Sequence, residues 1–257
     1  MNLKQSVVLN KLRSGRLVSC VKINCSDSRI VQIAALSGFD CIWSDMEHTA
    51  NNLIGIENQI LAAKAHNKDS LIRIPRGSYS DYIYPLELDA SGIMVPHIMN
   101  QDDAKKVVWM TRFHPVGRRP LDGGNADGNF SMTDTLEYIN HANRNRFVMI
   151  QIEDPEPMDD LDAICNLEGI DVIFFGPGDY TQGIGDPGNF SNPRINEARR
   201  LVATAAIKHG KYAGTVGTPD NIRELYQMGY RFISMGADVL GLADYFKRMM
   251  DVFREIM

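Results

Sequence analysis

Short apolar runs recur along the chain at regular intervals, and each is followed by a segment with helical periodicity. Continuous apolar runs, without alternating polar positions, are typical of parallel strands that are covered on both faces. The runs predict eight strands, at residues 17–23, 41–46, 71–75, 92–96, 147–153, 171–176, 212–216 and 232–235.

The segments between these strands place apolar side chains three and four residues apart, as an amphipathic helix does. A short helix is predicted at residues 3–14, before the first strand, and segments 114–134 and 178–192 are predicted as largely irregular. The other helices are predicted at residues 28–38, 53–66, 79–88, 102–113, 133–144, 157–167, 193–209, 219–228 and 239–256.

This alternation of strands and helices determines the predicted fold class. Eight strand–helix units in about 250 residues are typical of an α/β fold, the (β/α)8 or TIM barrel. We therefore predict a single (β/α)8 barrel domain over residues 1–257, because no linker or change of composition divides the chain. A doubly wound open sheet is the alternative architecture.

The composition excludes several classes of protein. The hydrophobic and charged fractions, 44% and 23%, are those of an ordinary globular protein. The net charge of −5 gives no reason to expect nucleic acid or an anionic membrane as a partner. No apolar run approaches the ~20 residues of a membrane span, and none of the four cysteines lies in a CxxC pair. We predict a cytoplasmic protein with reduced cysteines.

The second predicted strand ends in polar side chains, Asp45, Glu47 and His48. Catalytic groups of such barrels lie at the carboxyl-terminal ends of the strands. A carboxylate there can orient an imidazole and set its proton affinity. Asp45 and His48 are therefore a candidate acid–base pair, and an ion pair without a chemical role is the alternative.

Other strands bring further polar groups to the same end of the barrel. Arg73 lies within an apolar strand and suits a carboxylate ligand, although a salt bridge to a neighbouring acid would also explain it. Glu153 and Asp179, with the amide of Gln151 nearby, form an oxygen-rich set that suits Mg²⁺ or Mn²⁺. Helix capping is the alternative for Asp179. Gly178 lets main-chain N–H groups approach a ligand carboxylate.

Two more residues of these strand ends have a less definite interpretation. Lys22 lies inside the first strand, and no neighbouring set of residues supports a Schiff-base role for it. His97 follows the fourth strand, where it would either contact a substrate or be an ordinary loop histidine.

Five segments, in this order, resemble the HpcH/HpaI family of class II pyruvate aldolases, which includes 2-dehydro-3-deoxyglucarate aldolase and 4-hydroxy-2-oxoheptanedioate aldolase. The resemblance covers nearly the whole chain, and the segments are specific as a set rather than singly. They are Ser44-Asp45-Met46-Glu47-His48, Ile72-Arg73-Ile74-Pro75, Val95-Pro96, Gln151-Ile152-Glu153 and Gly176-Pro177-Gly178-Asp179.

This resemblance implies a lyase that cleaves a 4-hydroxy-2-oxo acid to pyruvate and an aldehyde through a metal-stabilised pyruvate enolate. Glu153 and Asp179 would hold the divalent metal, which would be Mg²⁺, Mn²⁺ or Co²⁺. Gln151 would hold the substrate or a metal-bound water, and the amides around Gly178 and Asp179 would bind the pyruvate carboxylate.

The same resemblance implies roles for the charged groups of strands two and three, and a quaternary structure. Arg73 would contact the keto oxygen and stabilise the enolate, and His48 with Asp45 would assist proton transfer. The family also implies a homo-oligomer, a hexamer or a trimer, in which the C-terminal helices are exchanged between subunits.

The chain departs from the family pattern at three places. Met46 stands where the family usually has Gly, and Glu87 and Asp89 stand where it has Asp and then Gly. The family's acid there reaches a neighbouring subunit's site, so Glu87 is the candidate second-subunit acid and Asp89 is the alternative. The usual Gly-x-Arg-Gly loop is replaced by Gly117-Arg118-Arg119-Pro120, and we expect this loop to border the aldehyde half of the site.

Two other functions remain as alternatives. The first is a lyase of the same superfamily that acts on acyl-CoA thioesters, as citrate lyase does, or a 2-oxo-acid decarboxylase. A CoA ester needs basic contacts for its nucleotide, and Arg118-Arg119 is the candidate cluster. The second is a barrel that binds a small 2-oxo acid without turning it over.

Overall fold

A computed structural model describes residues 3–256 of the chain, in which each strand is followed by at least one helix. The strands are β1 Val18–Ile23, β2 Cys41–Asp45, β3 Asp69–Arg73, β4 Gly92–Val95, β5 Phe147–Ile152, β6 Val172–Phe175, β7 Tyr212–Gly217 and β8 Tyr230–Ala237. The helices are α1 Val7–Arg13, α2 Ser28–Leu36, α3 Leu53–Ala65, α4 Tyr79–Glu87, α5 Gln101–Thr111, α6 Thr135–Asn145, α7 Leu161–Cys165, α8 Pro177–Gly183, α9 Pro193–Lys208, α10 Ile222–Gln227 and α11 Asp238–Arg254. Short 3₁₀ turns lie at Ala126–Gly128 and Glu156–Met158.

The strands form one closed parallel barrel in sequence order, in which β8 pairs with β1. This closure confirms the predicted (β/α)8 class and excludes the doubly wound open sheet. The register sets Lys22 beside Trp43 on β1 and β2, and Asp45 beside Arg73 on β2 and β3. Residues 1, 2 and 257 of the predicted domain lie outside the described residues.

Large apolar side chains fill the barrel interior toward the N-terminal ends of the strands. Trp43, Phe174 and Phe232 belong to one buried cluster, and the rings of Trp43 and Phe174 pack edge to face with centroids 5.8 Å apart. Helix α1 closes this end of the barrel, because its Leu9 packs into the same cluster. Its Val8 N–H also donates to the buried carboxylate of Asp69 at 2.9 Å. The interior becomes polar only toward the opposite end, where the strands deliver their last residues.

The strand and helix boundaries mostly lie within three residues of the predicted ones, with three informative exceptions. Helix α8 forms within a segment that was predicted as a loop, because Pro177 starts it at a position where its missing N–H has no cost. The predicted helix 157–167 is a 3₁₀ turn followed by the single-turn helix α7. The first helix is shorter than 3–14, because Ser6 caps it with a hydrogen bond from the N–H of Leu9.

Helix α11 differs from the other helices of the barrel, because no residue of it is buried. Apolar side chains nevertheless make up one face of it. The most exposed include Leu240, Tyr245, Phe246, Met249, Val252 and Phe253. Its first residue, Asp238, accepts hydrogen bonds from the backbone N–H groups of Asn24 and Cys25 at 2.8 and 2.9 Å, which fixes the loop after β1 to the start of this helix. No helix among residues 3–256 is both long enough and apolar enough to cross a membrane.

Candidate active site

A bidentate ion pair joins the ends of β2 and β3. The guanidinium of Arg73 donates to the carboxylate of Asp45 through Nε at 2.9 Å and through Nη2 at 2.6 Å. Lys22 approaches the same carboxylate from β1, with Nζ 2.8 Å from Oδ2. Burial alone would raise the pKa of Asp45, but the hydrogen bonds and charges of Arg73 and Lys22 outweigh it and hold that pKa at about 2.

The expected pairing of His48 with Asp45 is not seen in the structure. The imidazole Nε2 of His48 lies 3.5 Å from Glu47 Oε2, and its side chain is 57% exposed. Asp45 is instead surrounded by Arg73 and Lys22. The backbone turns after β2, so the side chain of His48 lies at the surface. The side chain of Asp45, the last residue of the strand, stays buried inside the barrel. Glu47 contacts both His48 and Arg73, because its carboxylate also forms an ion pair with Arg73 Nη1 at 2.9 Å.

Glu153 is a buried carboxylate directly after β5, held in place by neutral donors. Its Oε1 accepts the backbone N–H of His97 at 2.9 Å, and its Oε2 accepts Nε2 of Gln151 at 2.5 Å. Burial raises the pKa of Glu153 to about 7, and the neighbouring charges of Asp179 and Glu47 also act in that direction. Negative charge is therefore concentrated around Glu153. Among the described residues, no lysine or arginine forms an ion pair with this carboxylate.

His97 contributes more to the site than its sequence position indicated. Its Nδ1 lies 2.8 Å from Asp154 Oδ2, and its ring lies 3.8 Å from both Glu47 and Glu153. Burial alone would lower the pKa of His97, but the hydrogen bond to Asp154 and the nearby carboxylates raise it. The position directly after the fourth strand was the sequence signal for this residue.

A cavity of about 330 Å³ opens at the carboxyl-terminal end of the barrel beside these groups. Four of the predicted site residues line it together, namely Gln151, Glu153, Gly178 and Asp179. Gly176 lets them approach, because a Cβ there would meet Glu153 Oε2 at 2.7 Å and Gln151 Nε2 at 3.0 Å. The structure thus brings the predicted metal ligands to one cavity with Gln151 and Gly178 of the predicted substrate-binding residues, but not with Arg73.

Of the cationic residues on β1 to β3, the one that lines the cavity is Lys22, whereas the prediction assigned the substrate contact to Arg73. Arg73 is 5% exposed at its side chain and is covered by Asp45 and Glu47, whereas Lys22 belongs to the lining of the cavity. Sequence reasoning assigned no role to Lys22. Its inward orientation follows from the strand register, which sets it beside the interior residue Trp43.

A family model described as HpcH/HpaI aldolase/citrate lyase matches residues 21–244. The chain belongs to this family. Similar curated proteins are 5-keto-4-deoxy-D-glucarate aldolases, one from Shigella sonnei (strain Ss046), which is 26% identical over 98% of this chain and 100% of the relative. Another, from Shigella boydii serotype 18 (strain CDC 3083-94 / BS512), is 27% identical over 96% of this chain and 97% of the relative.

Several solved structures superpose on nearly the whole chain. An HpcH/HpaI aldolase from Desulfitobacterium hafniense DCB-2 matches with a TM-score of 0.91 and 25% identity over 96% of each chain. Macrophomate synthase matches with a TM-score of 0.83 and 25% identity over 99% of this chain and 89% of that one. The citrate synthase SbnG, with a TM-score of 0.88 and 24% identity over 97% of this chain and 98% of that one, is similar in fold.

Membership of the HpcH/HpaI family confirms the predicted resemblance and, with it, a carbon–carbon lyase of the class II pyruvate aldolase type. Enzymes of this class depend on a divalent metal. Among residues 3–256, no group of three or more His, Cys, Asp and Glu side chains is arranged to hold a metal ion. The available donors are two carboxylates, Glu153 and Asp179, and the Oε1 atom of Gln151, which is buried without a hydrogen-bond partner. Such hard oxygen donors fit a divalent cation that completes its coordination with water or substrate oxygens.

The two candidates for the family's second-subunit acid occupy different environments. Asp89 is buried in ion pairs with Lys64 and Arg146, which hold together the N-terminal ends of β3 to β5. It adopts a left-handed backbone conformation with a φ of 71°, which explains why the family favours Gly at this position. Among the described residues Glu87 forms no such ion pair, and burial raises its pKa. Glu87 therefore stays the predicted second-subunit acid.

The loop that departs from the family pattern lies away from the cavity of its own chain, contrary to expectation. Arg119 forms a buried ion pair with Asp127 at 2.6 Å, and Asp127 also accepts the hydroxyl of Tyr138 at 2.7 Å. The 3₁₀ turn of this loop packs on α4 and α6, close to Glu87. The N–H of Arg119 donates to the carbonyl of Arg112, whose guanidinium contacts Gly169 and Asp171 just before β6, so this part of the loop lies near the N-terminal ends of the strands. No residue of the loop is among those that line the cavity of its own chain.

Proposed function

We propose that this protein cleaves a 4-hydroxy-2-oxo acid to pyruvate and an aldehyde, with Mg²⁺ or Mn²⁺ held by Glu153 and Asp179. One observation carries the proposal: both carboxylates line the same barrel-end cavity as Gln151 and Gly178, in a chain of an aldolase family. The names of the similar curated proteins, 5-keto-4-deoxy-D-glucarate aldolases, support a sugar-acid substrate of this kind.

The pyruvyl end of the substrate is proposed to bind beside the two carboxylates. A divalent cation, when bound there, supplies positive charge to the oxygens on which negative charge develops as the carbon–carbon bond breaks. An added Cβ at Gly178 would meet nothing within 4 Å, so its backbone faces open space and its N–H can approach a carboxylate. The Gln151 amide lies next to Glu153 and orients that carboxylate or a substrate oxygen.

Arg73 is proposed to stabilise the enolate that cleavage leaves on the pyruvyl half. Asp45 and Glu47 each accept from Arg73, which fixes the plane of the guanidinium. Each Nη nitrogen carries a second N–H, so Arg73 can still donate to a keto oxygen. A donor that is held in place before the reaction stabilises developing charge without a cost of reorganisation.

His48 is proposed to transfer protons at the rim of the site. Its side chain is largely exposed and Glu47 is its carboxylate partner, so Glu47 takes the orienting role that was predicted for Asp45. An imidazole can both accept and donate a proton, and that of His48 is open to solvent. Asp45 then acts through Arg73 and Lys22 rather than through the imidazole.

A thioester substrate is less well supported by the geometry. The candidate nucleotide contacts were Arg118 and Arg119, but Arg119 is buried against Asp127 and Arg118 lies over the ring of Trp109, 5.4 Å from its centroid. Both residues belong to the loop at the N-terminal end of the barrel, far from the cavity of the same chain.

A homo-oligomer, a hexamer or a trimer, is proposed on the basis of α11. An amphipathic helix that buries none of its residues has an apolar face without a partner. An apolar groove lined by Leu17, Ile222 and Tyr226 lies on the outside of the same barrel. We propose that α11 of a second copy packs on the barrel and that Glu87 reaches the site of a neighbouring subunit.

The decisive experiment for the activity is deuterium exchange at the pyruvate methyl group, followed by NMR in D₂O with Mn²⁺, with Mg²⁺, and with EDTA. Exchange that depends on the metal is expected, because enolate formation needs no aldehyde. Exchange that is equal with EDTA and with metal would contradict metal dependence. Tight pyruvate binding without any exchange would instead identify a barrel that binds 2-oxo acids without turnover.

A further inference from the structure

The cavity contains a cation that the roles described above leave unused. Among the described residues, its lining includes one cationic side chain, that of Lys22. Arg73 is paired with Asp45 and Glu47, is not among the residues of this lining, and is already assigned to the enolate. A ligand in the cavity therefore meets the ammonium of Lys22 directly.

The ammonium of Lys22 is held in place, but not all of its hydrogen-bond donors are used. It donates to Asp45 Oδ2 across 2.8 Å and is 21% exposed at the side chain. It also lies over the indole of Trp43, 5.4 Å from the ring centroid. An ammonium carries three N–H donors, so Asp45 leaves donors free for a ligand in the cavity.

A second donor lies beside Lys22 without an acceptor. The indole Nε1 of Trp43 is buried and has no hydrogen-bond partner among the described residues, although Trp43 lines the same cavity. A buried donor without an acceptor costs free energy. Nε1 is shielded from solvent in this structure, so the part of Trp43 that supports Lys22 is its ring.

Lys22 lies across the barrel from the two carboxylates. Glu153 and Asp179 follow β5 and β6, whereas Lys22 is on β1, and the barrel order places β7 and β8 between them. Val216 and Ser234, from β7 and β8, line the cavity along this path. A substrate whose pyruvyl end lies at Glu153 and Asp179 therefore extends its other end toward Lys22.

We propose that Lys22 binds an oxygen-bearing group, a carboxylate above all, at the end of the substrate that leaves as the aldehyde. Lys22 is in this role a specificity-determining residue. The inference rests on the proposed function, because the orientation of the substrate is set by pyruvate at the two carboxylates.

The test compares three aldehydes of similar size as acceptors for pyruvate, with Mn²⁺ present. Glyoxylate carries a carboxylate, glycolaldehyde a hydroxyl group and propanal neither. Loss of a charge-assisted hydrogen bond corresponds to about a 10- to 100-fold loss of affinity. Lys22→Met is therefore expected to lower the ratio of kcat/KM for glyoxylate to that for propanal by about this factor, and Lys22→Arg to restore part of it.

Trp43→Phe keeps an aromatic ring beside Lys22 and removes the indole N–H, and it is expected to change the same ratio less than Lys22→Met does. Lys105→Met, on the exposed side of α5, is the matched control and should leave the ratio unchanged. Pyruvate methyl exchange in each variant separates the two hypotheses: if wild-type protein lacks exchange, the proposed function fails. If exchange is intact and Lys22→Met keeps the wild-type ratio, the role of Lys22 is refuted. Trapping of a pyruvate adduct on Lys22 by borohydride would also refute it.

Discussion

Asp45 and Arg73 face each other from adjacent strands, and the carboxylate of Asp45 accepts two hydrogen bonds from one guanidinium, at 2.9 and 2.6 Å. Lys22 adds a third contact to the same carboxylate. Glu47 also forms an ion pair with Arg73, so the network contains two carboxylates and two cations, and it holds Arg73 rigidly at the ends of β2 and β3.

The first prediction concerns the stability of the protein in acid. The pKa of Asp45 is about 2 in the folded protein, below its usual value of 3.8. A lowered pKa means that the folded state favours the ionised form, so the stabilisation is present above pH ~4 and is lost as pH falls toward ~2. The shift corresponds to about 2 kcal/mol of the free energy of unfolding. Urea unfolding of wild type and Asp45→Asn across this range should show that the variant loses less stability on acidification, and parallel curves would contradict the assignment.

The second prediction concerns the metal. Glu153→Ala removes a carboxylate that lies in the cavity with Asp179, and we expect Mn²⁺ affinity to fall by more than about 100-fold. Pyruvate methyl exchange should be lost in the same variant. Titration calorimetry with Mn²⁺ and NMR exchange measure the two effects, with exposed Glu156→Gln as the control. A variant that still binds Mn²⁺ with wild-type affinity would remove Glu153 from the metal site.

The third prediction uses a glycine to disturb the same carboxylate without changing its charge. A Cβ at Gly176 would meet Oε2 of Glu153 at 2.7 Å, so Gly176→Ala must displace that side chain. We expect Mn²⁺ affinity to decrease about 10- to 100-fold, while the melting temperature changes little. Gly123→Ala, where an added Cβ meets nothing within 4 Å, should bind Mn²⁺ as wild type does. Equal affinities in both variants would show that Glu153 does not need its observed position.

The fourth prediction separates proton transfer from metal binding. His48→Ala removes an exposed imidazole that does not line the cavity, so Mn²⁺ affinity should stay within about twofold of wild type. Exchange of the pyruvate methyl protons should slow about 100- to 10,000-fold, the usual contribution of a general acid or base. Exposed His114→Ala serves as the control. An unchanged exchange rate in His48→Ala would contradict the role of His48. The next candidate for proton transfer would then be His97, which contacts Glu47 and Asp154.

The fifth prediction concerns assembly. Phe246 and Phe253 are both 62% exposed on α11, and Phe246→Asp with Phe253→Asp would place two charges on its apolar face. We expect light scattering to report a smaller particle than for wild type. Lys247→Glu, on the same exposed helix, changes charge away from that face and should leave the mass unchanged. If wild type itself is monomeric, the proposed oligomer is wrong.

Much of the fold could be predicted because its signals are local. Eight apolar runs gave the eight strands, and the polar residues after β5 and β6 gave Glu153 and Asp179, which line one cavity. Helix α8 was missed because a Gly-Pro-Gly start and a length of 7 residues leave no helical periodicity to detect.

The details of the site could not be predicted, because they depend on register and turn geometry. The role of Lys22 depends on its register beside Trp43, which a single strand does not encode. The separation of His48 from Asp45 depends on the turn after β2, where a change of direction decides which side chain enters the barrel. The position of the loop around Arg119 depends on its packing against α4 and α6, which are distant from each other in sequence.

Asp238 connects the loop after β1 to the start of helix α11. The residue that starts the unburied helix α11 also receives the N–H groups of Asn24 and Cys25, next to the strand that carries Lys22. If α11 docks on another chain, as proposed, that contact also restrains the loop after β1, because Asp238 holds the N–H groups of this loop. A change in subunit packing would then reach the neighbourhood of Lys22 through one carboxylate, that of Asp238.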